Sequence, residues 1–169
     1  MMAGITASSM ATFMAGCNVD KAEGWQPVFL TPEESDMLAE ITEQIIPRTD
    51  TPGAKDALVH RFLDSYFKDN LTEEYQTLLR DGLKSIDDRT EQKFSESFVK
   101  ASSEQRDEVL IEIEDELGDL NIVSALKSLT IMTFFTSEIG AKEVLNFDPI
   151  PGEYKGCIPL SEVGSCWAL

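Results

Sequence analysis

Apolar and polar positions alternate with helical spacing over most of the chain, from Leu30 to Thr136, and no pairs of strand-like runs joined by turns are evident. The first helix is marked by Leu30-Thr31-Pro32-Glu33-Glu34, which places an apolar residue before a Thr cap, Pro at the first helical position and Glu in the first turn. Pro47 ends this helix, and residues 48–54 form a turn-rich loop. Its apolar stripe continues with Leu38, Ile41 and Ile45.

Two further helices are predicted before residue 90. The second covers Ala54 to Lys68, and the third runs from Thr72 to about Asp88. Gly82 lowers the helix propensity of the third, which indicates the close approach of a neighbouring helix. The buried side of the second helix is predicted to carry Leu58, Phe62 and either Tyr66 or Phe67. The apolar stripe of the third comprises Tyr75, Leu78, Leu79, Leu83 and Ile86.

Three helical segments complete the periodic part of the chain. Phe94 and Phe98 mark a short fourth segment, and a second capping box at Ser102 and Gln105 starts the fifth. The apolar stripe of the fifth helix comprises Val109, Leu110, Ile113 and Leu117. The sixth helix, from Asn121 to Thr136, is apolar around most of its circumference, so we expect it to be the central helix.

The composition of the chain changes after the sixth helix. Residues 146–169 are rich in Pro, Gly and aromatic residues and have no helical period, which is rare for so long a segment of a compact helical domain. The sequence therefore predicts an all-α fold: a compact bundle of about six helices in one domain over residues 29–169, with 146–169 as an extended irregular C-terminal tail. Residues 18–28 are predicted to form a polar tether before the domain.

Length and charge limit the expected partners. The 169 residues, 42% of them apolar, suffice for one buried core. Asp and Glu total 31 against 14 Lys and Arg, which gives a formal net charge of -17. This charge opposes binding to nucleic acid or to anionic membrane surfaces, so neither is an expected partner. We interpret the acidic residues as a solvated surface, with docking of a basic partner as the alternative.

The first 17 residues have the character of a secretory signal. Residues 1–16 carry no charge, and Met14-Ala15-Gly16-Cys17 resembles the box at which bacterial lipoproteins are cleaved and lipidated. Met14 stands where Leu is usual, and no Lys or Arg precedes Cys17. We expect lipidation at Cys17 and a location on the periplasmic side of the bacterial envelope; a cytoplasmic location is the alternative. No apolar run reaches the length of a spanning helix, so membrane contact would come only through a lipid anchor or a partner.

The cysteines do not indicate a metal site. Cys17, Cys157 and Cys166 lack the spacing of zinc ligands. Cys157 and Cys166 lie nine positions apart in the tail, so in an oxidising compartment they would close a small disulfide loop. Two free thiols are the alternative.

The sequence contains no recognisable catalytic centre. His60 is the only histidine, and no Ser-His-Asp, Cys-His or paired Glu-x-x-His arrangement stands out. Glycine-rich phosphate loops and the haem-attachment motif Cys-x-x-Cys-His are missing. We therefore predict no catalytic, cofactor-binding or metal-ligating residue in this chain. We expect His60 to be a surface or half-buried residue that makes hydrogen bonds.

Several motifs in a fixed order carry a resemblance to a known family. They are Leu30-Thr31-Pro32-Glu33-Glu34, Ile45-Ile46-Pro47-Arg48-Thr49-Asp50-Thr51-Pro52-Gly53-Ala54 and Phe134-Phe135-Thr136-Ser137-Glu138-Ile139-Gly140. The element Asp148-Pro149-Ile150-Pro151-Gly152 follows them in the tail. From about Phe29 to Trp167 the chain thereby resembles the gluconate 2-dehydrogenase subunit 3 family.

The resemblance implies a non-catalytic small subunit of a membrane-associated dehydrogenase that oxidises a sugar or polyol. In such complexes a large, GMC-type flavin subunit holds FAD, and a cytochrome c subunit often accepts the electrons. The small subunit assists maturation, export or docking of the large one. It typically brings a twin-arginine signal, whereas no Arg pair occurs here. A free-standing envelope lipoprotein that binds a ligand or acts as a scaffold is the alternative.

The tail is the predicted docking element for the flavin subunit, because aromatic residues concentrate at protein interfaces. The alternative is that its aromatic side chains pack on the chain's own helices. Phe134 and Phe135 are likewise expected either at an interface or in the core. The predicted interface residues are Phe147, Asp148, Pro149, Pro151, Gly152, Tyr154 and Trp167.

Overall fold

The computed structural model describes residues 24–118, 121–150, 152–153, 156–164 and 166–168 of the chain, except for the side chain of Leu117. The predicted signal segment with Cys17 lies outside these residues. In the described part the regular structure is helical, apart from one isolated β-bridge, which confirms the all-α fold. The helices are α1 (Pro32–Ile45), α2 (Val59–Asn70), α3 (Glu73–Phe94), α4 (Ser103–Leu117), α5 (Ile122–Thr136), a π-helical turn (Gly140–Val144) and α6 (Leu160–Val163).

The helix α1 starts where its sequence predicts. Thr31 Oγ1 accepts a hydrogen bond from Glu34 N at 3.2 Å, and the Glu34 carboxylate accepts one from Thr31 N at 2.8 Å. This capping box satisfies two backbone N–H groups that would otherwise lack partners at the start of the helix. Ser102 and Gln105 form the same arrangement at the start of α4. Both N-termini are therefore determined by residues within one helical turn.

The helices α1 and α5 form the centre of the bundle. They contact each other, and each also contacts α2, α3 and α4. The prediction that the most apolar helix is central is confirmed. A single core includes side chains of all five long helices, and Phe67, Phe98 and Phe134 are its largest fully buried members. Burial of a side chain of this size stabilises a fold by about 2 to 3 kcal/mol.

One carboxylate holds the segment before α1 against α2. Asp64 is fully buried and accepts hydrogen bonds from the backbone N–H groups of Val28, Phe29 and Leu30, at 2.6, 3.1 and 2.8 Å. A carboxylate in the interior needs such donors, because burying a charge without partners is costly. The Arg61 guanidinium lies 4.8 Å from the ring centroid of Trp25 in the same segment. The first described residues therefore pack on the helices.

The second helix starts later than its periodicity predicts. Residues 54–58 form turns, Leu58 has a φ of 53°, and α2 begins only at Val59. The preceding loop is held by a residue of α1. The Glu43 carboxylate accepts hydrogen bonds from Arg48 N at 2.9 Å and Lys55 N at 2.8 Å, and it occupies the space that a side chain on Gly53 would need. This contact between distant residues delays the helix.

Four apolar residues predicted on the buried stripes are exposed. They are Leu58, Phe62, Tyr75 and Leu78. On α2, Phe67 is the fully buried aromatic residue, whereas Phe62 stacks on the half-buried Tyr66 with the ring centroids 6.3 Å apart. Helical periodicity locates the centre of an apolar stripe, but its edges depend on which neighbouring elements cover them. Here those edges face solvent.

The predicted fourth segment is not a separate helix. Phe94 is the last residue of α3, which is longer than expected, and Phe98 is buried in the turn that follows. This turn is fixed because Phe98 N donates a hydrogen bond to Asp87 Oδ1 at 2.7 Å. Gly82 confirms the close approach predicted from it, since a β-carbon there would lie 2.7 Å from the Ile122 side chain of α5.

Charged side chains also join α3 to α4. Lys93 pairs with Glu108 at 3.0 Å and with Glu112, and Arg89 pairs with Glu116 at 2.7 Å. The three glutamates lie one helical turn apart on α4 and therefore share one face. All five side chains remain partly exposed, so the pairs add little to stability at physiological ionic strength.

Candidate functional site

A short, tightly packed turn joins the tail to α5. The Ser137 hydroxyl donates a hydrogen bond to Phe134 O at 2.6 Å and accepts one from Gly140 N at 3.0 Å. A β-carbon on Gly140 would lie 2.0 Å from Phe134 O, so only glycine fits at this position. The π-helical turn then packs on α5. The Phe-Thr-Ser motif and its glycine thus set the direction in which the tail leaves the bundle.

The two ends of the tail pair with each other. Asn146 N donates to Cys166 O at 2.8 Å, and Asn146 O accepts from Ala168 N at 2.9 Å, which forms a parallel bridge between Asn146 and Trp167. The side-chain amide of Asn146 donates to Val163 O at 2.8 Å. The chain therefore leaves Asn146 and returns to it. We call residues 146–168 the C-terminal loop; its return and the short helix α6 within it were not predicted.

Large apolar side chains of the C-terminal loop face solvent. Ile150 and Leu160 are 84% and 87% exposed, and the aromatic residues Phe147 and Trp167 are 46% and 54% exposed. A soluble protein leaves single apolar residues exposed without consequence, but several in one short segment are typical of an interaction surface. Phe147 and Trp167 are therefore not fully buried, and the choice between a partner and the chain's own helices stays a prediction.

The other predicted interface residues belong to the same surface or lie outside the described residues. Asp148, Pro149 and Gly152 are exposed, and Asp148 Oδ1 accepts a hydrogen bond from Ile150 N at 3.1 Å, which orders the local turn. The predicted residues that the structure does not describe are Pro151 and Tyr154. Contact of this surface with a partner stays a prediction.

Both cysteines of the C-terminal loop are accessible. Cys157 and Cys166 are exposed free thiols in the structure. Their pairing was expected only in an oxidising compartment, and it stays a prediction. Cys166 also supplies the carbonyl that accepts from Asn146 N, so it lies directly beside the bridge.

A second exposed apolar surface lies on α5. Ile131, Met132 and Phe135 are exposed, whereas Phe134 is buried and its ring lies edge-on to that of Phe135 at 5.2 Å. Phe134 therefore lies in the core, and an interface role of Phe135 stays a prediction. Lys127 is the only charged residue of α5, so this face is unusual in so acidic a chain. Apolar periodicity does not separate this face from the core, because the whole helix is apolar.

The described residues contain no arrangement typical of a reaction centre. His60 is buried, not surface or half-buried as predicted, because Trp25 covers it with the two ring centroids 5.9 Å apart. Within residues the structure describes, no three His, Cys, Asp or Glu side chains converge as a metal site requires. None of the helices described is long and apolar enough to cross a bilayer.

Comparison with known proteins agrees with the three motifs. The family model of gluconate 2-dehydrogenase subunit 3 matches residues 32–152, well over half of the 169-residue chain. This range begins at the first residue of α1, includes all five long helices and ends within the C-terminal loop at Gly152. No curated protein and no solved structure gives a significant match. The chain therefore belongs to the gluconate 2-dehydrogenase subunit 3 family.

Proposed function

We propose that this chain is a non-catalytic small subunit of a membrane-associated, FAD-dependent sugar or polyol dehydrogenase. It docks on the flavin catalytic subunit through its C-terminal loop and assists the maturation or export of that subunit. FAD belongs to the partner, a GMC-type flavoprotein, and a cytochrome c subunit completes the complex. We place the complex on the periplasmic side of the bacterial envelope, with Cys17 as the site of lipid attachment.

The exposure of the apolar residues in the C-terminal loop carries this proposal. Ile150 and Leu160 are almost fully exposed in a segment that begins within the family match. Leaving such side chains in water forgoes roughly 1.5 to 3 kcal/mol each, relative to burying them. A partner surface that covers them would recover this free energy. The name of the family, a subunit of a dehydrogenase, supplies the class of partner.

Co-purification tests the proposed partnership. We expect a flavin dehydrogenase reading frame next to this one. Its product would be tagged in the native host, and the proteins retained with it would be identified by mass spectrometry. We expect this chain among them in a fixed ratio to the flavin subunit. Recovery of this chain as a lone, stable monomer with no oxidoreductase partner would contradict the proposal and favour a free-standing envelope lipoprotein.

A pair of matched substitutions tests the docking surface. Ile150→Asp and Ile111→Asp each replace an exposed isoleucine with a negative charge, the first in the C-terminal loop and the second on α4. We expect Ile150→Asp to reduce the retained chain by about tenfold, which corresponds to about 1.4 kcal/mol of binding free energy. Ile111→Asp should leave retention unchanged. Equal effects of the two substitutions would mean that docking does not use the C-terminal loop.

Turnover assays test the non-catalytic assignment. The isolated chain should oxidise none of a panel of sugars, polyols and sugar acids with an artificial electron acceptor. The same assay should show turnover when the flavin subunit is present. Activity of the isolated chain without added flavoprotein would refute the assignment.

A further inference from the structure

We propose that Asn146 is a positioning residue that closes the C-terminal loop in the free chain, so that the flavin subunit meets a preformed docking element. The partner surface that fits this element has an apolar centre and a basic rim. This inference rests on the proposed function and assigns to it a residue and a partner chemistry. The geometry at Asn146 and the charges of the chain carry it.

Among the residues that the structure describes, Asn146 makes three hydrogen bonds to the returning chain. Its backbone N–H donates a hydrogen bond to Cys166 O at 2.8 Å, and its backbone C=O accepts one from Ala168 N at 2.9 Å. Its side-chain amide donates one to Val163 O at 2.8 Å. One residue thereby satisfies backbone groups on both sides of Gly164. An asparagine suits this role because its side chain carries an amide donor in addition to the backbone pair.

Gly164 allows the chain to pass over the Asn146 side chain. Its φ is 69°, in the left-handed region that residues with side chains rarely adopt. A β-carbon at this position would lie 3.3 Å from Asn146 Nδ2, closer than most such contacts. Gly164 therefore permits the turn, and the hydrogen bond from the Asn146 side chain stabilises it.

The closure fixes the two exposed aromatic residues relative to the bundle. Phe147 directly follows Asn146, and Trp167 lies opposite Asn146 in the bridge. Asn146 itself lies two residues after the π-helical turn, which packs on α5. A loop that is ordered before binding loses less conformational entropy when it binds. The partner therefore meets a loop whose two ends are already joined, and opening of the loop would weaken binding without any change in the contacting side chains.

Charge selects the partner over a second copy of this chain. Residues 146–169 contain one lysine against Asp148, Glu153 and Glu162, and the whole chain carries a formal net charge of -17. Two copies that met through their C-terminal loops would repel each other, because each carries a large negative charge. A partner with basic residues around an apolar patch has the complementary charge. The loop beyond Gly152 lies outside the family match, so this proposal extends the docking element past it.

Two variants with matched controls test the closure. Asn146→Ala removes the bond to Val163 O, and Asn70→Ala removes a comparable surface bond to Tyr66 O at the end of α2. Gly164→Val forces a branched side chain to a φ of 69°, and Gly118→Val does the same at a φ of 65° at the end of α4, where no atom lies nearby. The controls separate closure of the loop from the general cost of each substitution.

Amide hydrogen exchange of the isolated chain is the first measurement. In the wild type we expect the amides of Asn146 and Ala168 to exchange at least about tenfold more slowly than unstructured amides. This protection should fall in Asn146→Ala and Gly164→Val and persist in Asn70→Ala and Gly118→Val. The urea midpoint of helix unfolding should be unchanged in Asn146→Ala. Unprotected amides in the wild type would overturn the proposal.

Retention by the tagged flavin subunit is the second measurement. We expect Asn146→Ala and Gly164→Val to be retained about tenfold less than the wild type, and both controls to be retained equally. Full retention of both loop variants would overturn this inference and leave the proposed function standing. A wild-type chain with protected amides that no flavin subunit retains would refute the proposed function, and with it the partner assigned to the loop.

Discussion

Two glycines of the family motifs are required by atoms that occupy the space of a side chain. At Gly53 a β-carbon would lie 2.5 Å from the Glu43 carboxylate and 2.6 Å from Arg48 N, and at Gly140 it would lie 2.0 Å from the carbonyl oxygen of Phe134. Each position therefore meets a backbone atom, which cannot move aside without displacing the chain. We expect a side chain at either glycine to destabilise the fold.

The matched pair Gly140→Ala and Gly152→Ala tests this requirement. Gly140→Ala would force the π-helical turn away from α5, and we expect the free energy of unfolding to fall by about 2 to 3 kcal/mol. Gly152 has no atom within 4 Å of a β-carbon, so Gly152→Ala should change it by less than about 0.5 kcal/mol. Urea denaturation followed by far-UV circular dichroism would measure both. Equal stability of the two variants would show that the turn is not fixed by Gly140.

Residue roles could be read from the sequence only where the partner is near along the chain. The capping box of Thr31 and Glu34 was predicted because both residues lie in one turn. Other contacts join residues about 35 positions apart. Trp25 contacts His60, and Asp64 accepts hydrogen bonds from the segment before α1. No local pattern contains them. Burial of His60 was therefore missed.

At the scale of elements, α3 and α4 are coupled through one lysine. A hydrogen bond from Lys93, reinforced by its charge, lowers the pKa of Glu112 below its ordinary value of 4.5. The hydrogen bonds to Glu112 and Glu108 raise the pKa of Lys93 above 10.5. The contribution of Glu112 to stability is therefore present above about pH 4.5 and is lost as the pH falls through its lower, folded-state pKa. The contribution of Lys93 to stability is lost as the pH rises through its raised, folded-state pKa.

Replacement of the lysine tests this coupling. In Lys93→Met we expect the pKa of Glu112 to rise towards 4.5, because both the hydrogen bond and the attraction are removed. Carbon-detected NMR titration of the Glu112 carboxyl group measures this directly. Lys68→Met on α2 should leave the pKa unchanged, since Lys68 lies on a helix that does not carry these glutamates. An unshifted pKa in Lys93→Met would show that the pair does not persist in solution.

The presence of the long helices could be predicted from the sequence, whereas several of their first and last residues could not. Apolar spacing predicts the five long helices. The caps at Thr31 and Ser102 locate the starts of α1 and α4, and Pro47 locates the end of α1. The start of α2 was missed because Glu43 holds the preceding loop in turns. The expected fourth segment was wrong because α3 continues through Phe94. At the start of α2, a tertiary contact thereby overrode the local pattern.

At the scale of the whole molecule, repulsion between acidic side chains opposes folding. The formal net charge of -17 far exceeds what the few ion pairs between α3 and α4 can offset. Salt screens both repulsion and attraction, with a Debye length of about 10 Å at 0.1 M. With 31 acidic residues and 14 basic ones, screening should remove more repulsion than attraction.

We therefore predict that salt stabilises this protein. The free energy of unfolding in urea at neutral pH should rise by about 1 kcal/mol between about 20 mM and 500 mM NaCl. KCl should give the same increase, because screening depends on ionic strength rather than on the identity of the salt. A decrease with either salt would mean that the ion pairs outweigh the repulsion.

The path of the tail is the part of the molecule that the sequence disclosed least. Its composition indicated an interaction segment, and Phe147, Ile150 and Trp167 are indeed exposed. Its return to Asn146 joins residues about 20 positions apart through backbone atoms, which every residue type carries. Near the point of return, Gly164 is of a residue type common in turns. A single glycine does not specify where the chain goes after the turn.

Hydrogen bonds to Asn146 make closure of the C-terminal loop independent of oxidation. Cys157 and Cys166 lie inside a loop that is already shut, so a disulfide between them would constrain the unfolded chain but would not create the shape of the loop. The loop can therefore form in a reducing compartment as well as in an oxidising one. Under the proposed function, the loop therefore has its docking shape before the chain meets any oxidising compartment.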